Sequence, residues 1–478
     1  MYQTRALILF LAGCTTSVGQ STGSVTDPPV DAGTDPSANR VFLQSLLDQG
    51  GDVTLPAGNF IVNRAGSNGY CLKAVSARVH GAGQGATTIT MAGGTAGSVV
   101  VLNLSGNGAS LQDLTLDGNK AGQLDNEEHR HGVMVQDGAG IRISRITAQN
   151  FTGDGVYLFH GLSDTVVEDS TVQNNNRQGL TVGMQQTGTT ISGNRLVGNF
   201  FHQLDSEPGN DVITHVTVVN NVMQASPGNS AMTATGATGN PGGNWVITRN
   251  TLTGGVFIVG GHNIAVIDNA ITSVDTPPVW IKNDAADIMV FNNTLTETGT
   301  GDHLSGVLLE GTQPKAADGT LLPPLMPSGV SIVHNLISSA ATDGMGVRAI
   351  GALDITVTGN TIIGPGAANA TSNGVGFRAT IAARAALRCV VTDNTISGVA
   401  IGVGISGNGT VPPKPSLGEL DVVRNSITAT TGVSLDAKES VPDSLYVRGN
   451  NWNGLPVAQR VASIPATCTI ISSDASTP

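Results

Sequence analysis

The sequence predicts an all-β fold in which one short unit recurs and each copy forms one coil of a solenoid. The composition is the first indication, because 63 Gly, 39% hydrophobic residues and only 4% aromatic residues are typical of β-branched strands joined by tight turns. The second is the repeat, whose copies follow one another at spacings of 19 to 42 residues, as solenoid coils do. The third is that the apolar positions do not follow the 3.6-residue period of helices.

The recurring unit is clearest in residues 191–207, ISGNRLVGNFFHQLDSE, where apolar Ile191 and Leu196 flank Asn194. Coils stack about 4.7–4.9 Å apart, so equivalent residues form columns. We expect the Asn column to occupy tight bends in left-handed backbone conformation and to pass amide hydrogen bonds from coil to coil. The apolar columns fill the interior. Ten of the thirteen unit centres are Asn, and the centres are Leu114, Ser144, Ser170, Asn194, Asn221, Asn250, Asn269, Asn293, Asn335, Asn360, Asn394, Asn425 and Asn450.

Other segments interrupt or close the array. Residues 37–51, SANRVFLQSLLDQGG, predict a short amphipathic helix that caps one open end of the solenoid. Residues 116–130 and 311–327 predict loops that leave the coil, and the residues after Trp452 predict the second cap.

The N-terminal helix precedes an LPAG turn and the segment RVHGAGQGATTITM of residues 78–91. This order resembles the N-terminal segment of the pectate-lyase-like superfamily. The resemblance implies a right-handed parallel β-helix over residues 37–478. It also implies one of several activities, since that superfamily includes polysaccharide lyases, polygalacturonase-type hydrolases, alginate epimerases and phage tailspikes. The polygalacturonase motifs N-T-D, D-D, G-H-G and R-I-K do not occur in order, and no calcium cluster of three Asp with an Arg can be assigned, so no single activity is selected.

The first 14 residues predict an export signal, with Arg5 before an apolar run at 6–11. The run Leu11-Ala12-Gly13-Cys14 resembles the lipobox of bacterial lipoproteins. That resemblance implies export and attachment to a bacterial membrane through a lipid on Cys14; the alternative is an ordinary signal peptide with an incidental Cys. Residues 15–36, rich in Ser, Thr, Gly, Asp and Pro, predict a flexible tether.

The net charge and the cysteine spacing bear on two possible ligands, nucleic acid and a metal ion. A net charge of −12 disfavours a nucleic-acid partner. Cys71, Cys389 and Cys468 lie far apart without a C-x-x-C spacing, so we expect small buried hydrophobic residues rather than a metal site. No cofactor is predicted with certainty, although Ca²⁺ remains an option.

Chemistry is expected on the strand that follows each unit. In this strand the residue after an opening Gly points inward, so the next residue points to solvent. The predicted outward column is Met134, Tyr157, Thr181, Asp205, Met232, Trp280, Leu308, Arg348 and Gly376.

Asp205 and Glu207 are the leading catalytic candidates. Two residues apart on one strand, they share a face with Cα atoms about 6.5–7 Å apart. Solvent-facing carboxylates about 6.5–9.5 Å apart suit an inverting glycoside hydrolase. The alternatives are solvated surface residues, a calcium site or a turn cap. The string HQLDSEPG also resembles the D-x-E-P strand of many parallel β-helix proteins of differing activity.

Further candidates lie near this pair. His129 and His131, within the insertion 120–133, predict a proton-transfer pair or part of a metal site, or else a polar loop with ion pairs. Tyr157 is a candidate for sugar stacking or for β-elimination with a His, or is an ordinary half-buried strand Tyr. Asp154 suits a turn or a substrate contact.

Four residues complete the predicted substrate-binding set. His160, Arg177 and His202 are expected around the same face on adjacent coils. Trp280 is either a sugar platform or a Trp covered by the loop 311–327.

The sequence therefore predicts an extracytoplasmic carbohydrate-active enzyme that acts on a polysaccharide at the outer face of a β-helix. Lyase, hydrolase and epimerase chemistry are not separated by these residues. The alternative is a non-catalytic surface β-helix for glycan binding or adhesion. The predicted catalytic residues are Asp205, Glu207, Tyr157 and His131, and the predicted substrate-binding residues are His129, Asp154, His160, Arg177, His202 and Trp280.

Overall fold

The computed structural model describes residues 35–236, 242–299, 304–341, 343–366, 372–379, 388–407, 418–435, 442, 444–462 and 468–472. The predicted export signal, Cys14 and residues 15–34 of the predicted tether lie outside these residues. Within the described ranges, no helix is long and apolar enough to cross a lipid bilayer.

The chain winds into a solenoid of about 13 coils, whose strands pair in parallel from coil to coil. The strand Val156–Ser163, for example, pairs with Val133–Ala139 on one side and with Leu180–Val182 on the other. Three sheets result. Sheet 1 consists of Gly51–Thr54, Ala77–His80, Ser110–Asp117, Arg142–Gln149, Val166–Glu168, Thr190–Ser192, Thr217–Val219, Gly243–Thr248, His262–Ile267, Ala286–Phe291, Ser328–Val333, Leu353–Thr358, Arg388–Thr392, Glu419–Val423, Ser444–Arg448 and Thr469–Ser472.

Sheets 2 and 3 share strands with their neighbours. Two long strands, Ser110–Asp117 and Arg142–Gln149, continue from sheet 1 into sheet 2. Sheet 2 otherwise consists of Gly58–Val62, Thr87–Met91, Thr171–Gln173, Arg195–Val197, Val222–Gln224, Thr251–Thr253, Ala270–Ser273, Thr294–Glu297, Leu336–Ser339, Thr361–Ile363 and the first parts of Thr395–Gly407 and Ser426–Leu435.

Sheet 3 carries the outward column. It consists of Tyr70–Val75, Val100–Ser105, Val133–Ala139, Val156–Ser163, Leu180–Val182, Leu204–Ser206, Met232–Thr235, Val256–Val259, Val279–Lys282, Ser305–Glu310, Met345–Ile350, Asn373–Ala379, the last parts of Thr395–Gly407 and Ser426–Leu435, and Val461–Ala462. The short strands Gln186–Thr187 and Ile213–Thr214 connect sheet 3 to sheet 1.

The core is a set of stacked apolar columns inside the three sheets. In every coil but one, the two residues that flank the unit centre pair with their equivalents in the next coil and are buried, as predicted. The predicted centre Ser144 is wrong by two residues, because Ile146 is the register partner of Leu114, and Ile143 and Ala148 flank it. One column is Ile191, Val218, Ile247, Val266 and Val290, and its neighbour is Leu196, Met223, Leu252, Ile271 and Leu295.

The Asn ladder lies between these two columns. The backbone N–H of Asn194 donates to Oδ1 of Asn221 at 2.9 Å, and its Nδ2 donates to the same oxygen at 3.0 Å. The same pair of bonds joins each following unit centre to the next, as far as Asn450. The predicted coil-to-coil amide ladder is confirmed.

The left-handed bend lies one residue earlier than predicted. Asn220, Asp268 and Asn292 have φ between 54° and 57°, whereas the ladder Asn that follows each of them does not adopt positive φ. The ladder Asn must turn its side chain into the interior to reach the next coil. The bend therefore falls on the preceding, exposed residue, whose side chain is free to vary.

The N-terminal helix begins one residue before the predicted start and spans Pro36–Leu47. Its N-cap is Asp35, whose carboxylate accepts hydrogen bonds from the N–H groups of Ser37 and Ala38, which are among the donors left unpaired at a helix start. Leu43 and Leu47 are buried against the first coil. The helix caps the end of the core, as predicted. A 3₁₀ helix, Lys120–Gly122, and a short α-helix, Val457–Arg460, complete the helical structure of the described residues.

The predicted loop 311–327 is a small antiparallel excursion, because Thr312 bridges Leu325 and Lys315 bridges Leu321. Cys71 and Cys389 are buried and form no disulfide, in agreement with the predicted apolar role, whereas Cys468 is partly exposed.

Replacement of a ladder residue, Asn269→Ala, is expected to lower the free energy of unfolding by about 2–4 kcal/mol. The substitution removes the acceptor of the buried N–H of Asn250 and the amide that donates to the carbonyl of Ile247, and each buried unpaired polar group costs about 1–3 kcal/mol. The measurement is urea denaturation followed by circular dichroism. The control is Asn59→Ala on the exposed surface, expected within about 0.5 kcal/mol; equal effects of the two substitutions would contradict a structural role for the ladder.

Candidate functional site

The outward column of sheet 3 differs from the prediction at two coils. Tyr157, Thr181 and Asp205 are register partners, as predicted. Met232, however, pairs with Leu204 and is fully buried, so Thr233 takes the outward position. No Gly opens this strand, and the sequence pattern therefore placed it one residue out of phase. The column continues through Phe257, which the prediction omitted, to Trp280.

Asp205 is buried rather than solvent-facing, with 8% of its surface exposed. Its Oδ1 accepts hydrogen bonds from the N–H of Ser206 and the hydroxyl of Thr233, and its Oδ2 accepts one from Nε2 of Gln178 at 2.9 Å. Glu207 follows the end of the strand Leu204–Ser206 and its side chain is 30% exposed. Asp205 is thus fixed by its neighbours, while Glu207 reaches solvent.

Asp154, Arg177, Asp205 and Glu207 form a charged cluster. Nη1 of Arg177 lies 2.6 Å from Oδ2 of Asp154, and Nη2 donates to Oε1 of Glu207. Asp154 is fully buried and also accepts a hydrogen bond from the hydroxyl of Thr181 at 3.0 Å. Because Asp154 has no exposed surface, its direct role is to hold Arg177 rather than to touch a substrate.

A second ladder, the bend ladder, explains why these residues meet. His131, Asp154, Gln178 and His202 lie two residues before register partners of sheet 3. The N–H of Asp154 donates to Nδ1 of His131 at 2.9 Å, that of Gln178 to Oδ1 of Asp154 at 3.0 Å, and that of His202 to Oε1 of Gln178 at 2.8 Å. Each side chain therefore pairs the backbone of the next coil.

His131 is held neutral in one tautomer. Burial, together with the positive charge of Arg177, lowers the pKa of His131 to about 3. Since Nδ1 accepts the N–H of Asp154, the ring proton lies on Nε2. The ring centroid lies 5.0 Å from that of Tyr157. His131 can therefore donate a hydrogen bond or orient Tyr157, but its Nδ1 is not available as a base.

Tyr157 and Glu207 both keep their protons more readily than usual. Burial raises the pKa of Tyr157 to about 12, and the negative charge of Glu207 acts in the same direction. Burial also raises the pKa of Glu207, while Arg177 opposes that shift. Both groups are partly exposed, so both can act as proton donors to a bound molecule.

The insertion between the first units forms one wall of the site. Nζ of Lys120 donates to the carbonyl of Asn174, and the hydroxyl of Thr152 donates to the carbonyl of Glu127 at 2.7 Å. Buried Arg130 pairs with Asp125. These contacts fasten the insertion over two further coils, as expected for a segment that shapes a site.

The remaining candidates separate into near and distant groups. His129 is 56% exposed, pairs with Glu127, and its ring centroid lies 6.0 Å from that of His131. His202 adjoins the cluster through Gln178, and its Nδ1 lies 3.1 Å from the carbonyl of Ser230.

His160 and Trp280 are not part of the cluster. His160 pairs with Asp137. Trp280 lies three coils beyond Asp205 in the outward column, about 14 Å away by coil spacing. It packs against Phe257 with ring centroids 4.7 Å apart and donates its Nε1 proton to Glu310 at 3.2 Å.

Sequence reasoning missed Gln178 and Thr233, the two side chains that hold Asp205. A signal for Gln178 was present, since it lies 24 residues after Asp154 and 24 before His202, which is one coil in each direction. Thr233 was lost to the phase error at Met232.

No metal centre is evident in this part of the chain. Among the described residues, no group of three or more His, Cys, Asp or Glu side chains is arranged to hold a metal ion. A cavity of about 450 Å³ lies elsewhere, between the N-terminal helix and Tyr70–Val75, lined in part by Arg40, Asp48 and Lys73. The charged cluster itself lies on the open face of sheet 3, which suits a long molecule lying across the coils.

Residues 78–223 match the family model described as "Right handed beta helix region". The chain is a right-handed parallel β-helix protein. The fold implied by the sequence resemblance is thereby confirmed. No curated protein sequence matches this β-helix significantly.

Two solved structures show the same fold. The A-module of the mannuronan C-5 epimerase AlgE6 of Azotobacter vinelandii is 22% identical, with a TM-score of 0.59 over 78% of this chain and 96% of that chain. The tailspike gp61 of Pseudomonas phage phi297 is 10% identical, with a TM-score of 0.54 over 83% of this chain and 74% of that chain. At these identities the likeness shows the fold alone.

The substitution His131→Gln is expected to make the β-helix less sensitive to acid. An unfolded His binds a proton below about pH 6.5, whereas folded His131 does so only near pH 3. The unfolded state therefore binds more protons between these values, and stability falls as the pH falls. This loss of folding stability amounts to roughly 2–3 kcal/mol at about pH 4.5. A Gln at position 131 does not titrate and therefore abolishes the loss.

The measurement compares denaturation midpoints at about pH 7.5 and about pH 4.5. Wild type is expected to lose more stability than His131→Gln. His129→Gln, exposed on the same insertion, is the matched control and is expected to retain the acid sensitivity of wild type. The same loss in wild type and His131→Gln would show that His131 is not held neutral.

Proposed function

We propose that this β-helix is a carbohydrate-active enzyme that cleaves a polysaccharide by acid–base catalysis on the open face of sheet 3. The observation that carries the proposal is the charged cluster, in which fully buried Asp154 holds Arg177 against Glu207. The fold alone does not select this function, because parallel β-helices serve several.

A charge buried in an ion pair adds little to stability. Asp154 is fully buried, and this burial raises its pKa to about 7 although Arg177, which is partly exposed, opposes the shift. The attraction between the two groups thus only partly offsets the cost of removing the Asp154 carboxylate from water. The Asn ladder joins the coils elsewhere with neutral amides at no such cost. Buried charges with shifted pKa values, placed beside exposed proton donors, are typical of functional sites.

Glu207 is the proposed general acid. Burial raises its pKa, which is the direction a general acid needs, and the bond from Arg177 to Oε1 fixes the orientation of the carboxyl group. As the bond between the anomeric carbon and the glycosidic oxygen breaks, Glu207 gives its proton to that oxygen.

Asp205 is the proposed general base. Among its contacts with the described residues, Oδ2 accepts a single hydrogen bond, from Gln178, so a lone pair remains for a water molecule. That water attacks the anomeric carbon and gives its proton to Asp205. Tyr157, which keeps its proton, is placed to bind the sugar.

Hydrolysis is favoured over β-elimination by the state of His131. Elimination needs a base that removes a carbon-bound proton beside the uronate group. The Nδ1 of His131 is occupied by the N–H of Asp154, and its burial disfavours any charged form. The carboxylates, by contrast, supply both an acid and a base.

The second candidate is non-catalytic glycan binding or adhesion. It is favoured by the ring pair Phe257 and Trp280, which belongs to the same outward column as Asp205. It is also favoured by Lys282, whose Nζ lies 5.0 Å from the ring centroid of Trp280. An aromatic face with a nearby cation suits a sugar platform.

The test is a screen of the purified full-length protein against neutral and uronic-acid polysaccharides. Reducing ends report hydrolysis, and ultraviolet absorbance of unsaturated products reports elimination. Glu207→Gln and Asp205→Asn are expected to lower kcat by about 10²–10⁴-fold. Glu168→Gln, which breaks a surface pair with Arg142, is the matched control and is expected to retain activity.

Three outcomes separate the candidates. Unsaturated products would show that the reaction is elimination and not hydrolysis. Full activity of both carboxylate variants would show that Asp205 and Glu207 are not the catalytic residues. Binding of a glycan without any cleavage would favour the non-catalytic function.

We also propose that the protein is exported and anchored to a bacterial membrane through a lipid on Cys14. Cys14→Ser is expected to move the protein from the membrane fraction to the soluble fraction in cell fractionation. Equal partition of wild type and variant would contradict the anchor.

A further inference from the structure

Two adjacent phenylalanines stand in solvent at the edge of the charged cluster. Phe200 is 62% exposed and Phe201 is 48% exposed. The other large hydrophobic side chains that are exposed in the described residues are all aliphatic. Their ring centroids lie 4.9 Å apart with planes at 81°. A pair of exposed rings is unexpected in a chain with 4% aromatic residues whose other phenyl rings are at least partly buried where described.

The backbone beneath the rings is fixed. The N–H of Phe200 donates to the carbonyl of Asn175 at 3.0 Å, and that of Phe201 donates to the carbonyl of Arg177 at 3.1 Å. Nδ2 of Asn229 donates to the carbonyl of Phe200 at 3.0 Å. The preceding residue, Asn199, is fully buried and bonded to Asn175 and Gln203. The rings therefore project from an ordered turn held by both neighbouring coils.

The turn lies beside the catalytic candidates. Leu204 and Leu180 are register partners, so Phe201 lies one coil from Arg177, as the bond between their backbones shows. The chain then passes through His202 directly into Asp205. A polymer lying across Asp205 and Glu207 would meet these rings on leaving the site.

The charges around the site disfavour an anionic polymer. Glu207 is neutral while it holds the proposed catalytic proton, but Asp154, Asp205 and Glu128, which lies 3.7 Å from Nε of Arg177, still outnumber that one cation. Both terminal nitrogens of Arg177 are already bonded to carboxylates.

The two nearby cations of the insertion are engaged as well. Lys120 is bonded to Asn174 and Asn176, and buried Arg130 is paired with Asp125. Both arginines are thus paired with carboxylates, and Lys120 has two of its three ammonium protons engaged, so a uronate carboxylate would mainly face like charges.

We propose that Phe200 and Phe201 form a stacking subsite for the rings of a neutral glycan, and that the site selects neutral glycans over uronic-acid polymers. The apolar C–H face of a neutral sugar packs on an aromatic ring without a charged partner. The proposal rests on the proposed function in taking a glycan as the molecule that crosses sheet 3. It adds the substrate class and two binding residues.

The experiment measures binding and cleavage separately with the full-length protein. Binding is measured by affinity electrophoresis in the inactive Glu207→Gln background, with soluble neutral glucans and galactomannan against alginate and polygalacturonate. Phe200→Ala and Phe201→Ala are expected to weaken binding of a neutral glycan, together by about tenfold. In the otherwise wild-type enzyme the loss is expected in KM rather than in kcat.

Phe291→Ala is the matched control, because Phe291 is a half-buried ring on sheet 1 that contacts His334. It is expected to leave glycan binding intact. Phe201→Tyr, which retains the ring, is expected to restore the binding lost in Phe201→Ala. Thermal melts of each variant confirm folding.

The results distinguish this proposal from the proposed function. Neutral glycan bound through the rings but never cleaved would remove the acid–base function and support the subsite. Cleavage that is unchanged by both Ala substitutions would show that the rings are not a glycan subsite, as would be the case if they bound a protein partner, and would leave the proposed function intact. Equal or tighter binding of alginate or polygalacturonate would overturn the selectivity, and binding of no glycan at all would remove both.

Discussion

The fold depends on the side-chain amide of one residue per coil. Each ladder Asn accepts the backbone N–H and the amide of the Asn in the preceding coil, and it does so in the buried interior. A slip of one residue would leave these groups unpaired and would turn every apolar side chain of the strand outward. The ladder therefore fixes the register of coils whose lengths vary between 19 and 42 residues, and loops of any length can leave the solenoid without disturbing it.

The candidate site uses the same device with different side chains. In the bend ladder, His131, Asp154 and Gln178 pair the backbone of the next coil, and a short parallel ladder through Asn175, Asn199 and Gln203 runs beside it. The ladder thereby brings Arg177 into contact with Asp154, 23 residues before it, and with Glu207, 30 residues after it. A rigid stack of this kind holds a buried charge at low reorganisation cost, which is what an acid–base site requires.

Several predictions from the sequence depended on phase, and the errors have a common cause. A repeat pattern locates a coil but not the residue at which the chain bends, so the left-handed conformation was assigned to the ladder Asn instead of the exposed residue before it. Likewise, Met232 was assigned to the outward column because no Gly marks the start of its strand. The depth of Asp205 was not predictable either, because it results from Gln178 and Thr233 in the two neighbouring coils.

The sequence by itself determined the solenoid, its apolar columns and the Asn ladder, because a side chain repeated once per coil must stack upon itself. It also placed Tyr157, Thr181 and Asp205 on one face, since strand alternation is a local property. Only the tertiary structure decided that Arg177 pairs with a buried Asp154, that His131 is neutral, and that Phe200 and Phe201 remain in solvent. These features depend on contacts between different coils, and the distance between such residues in sequence carries no information about burial.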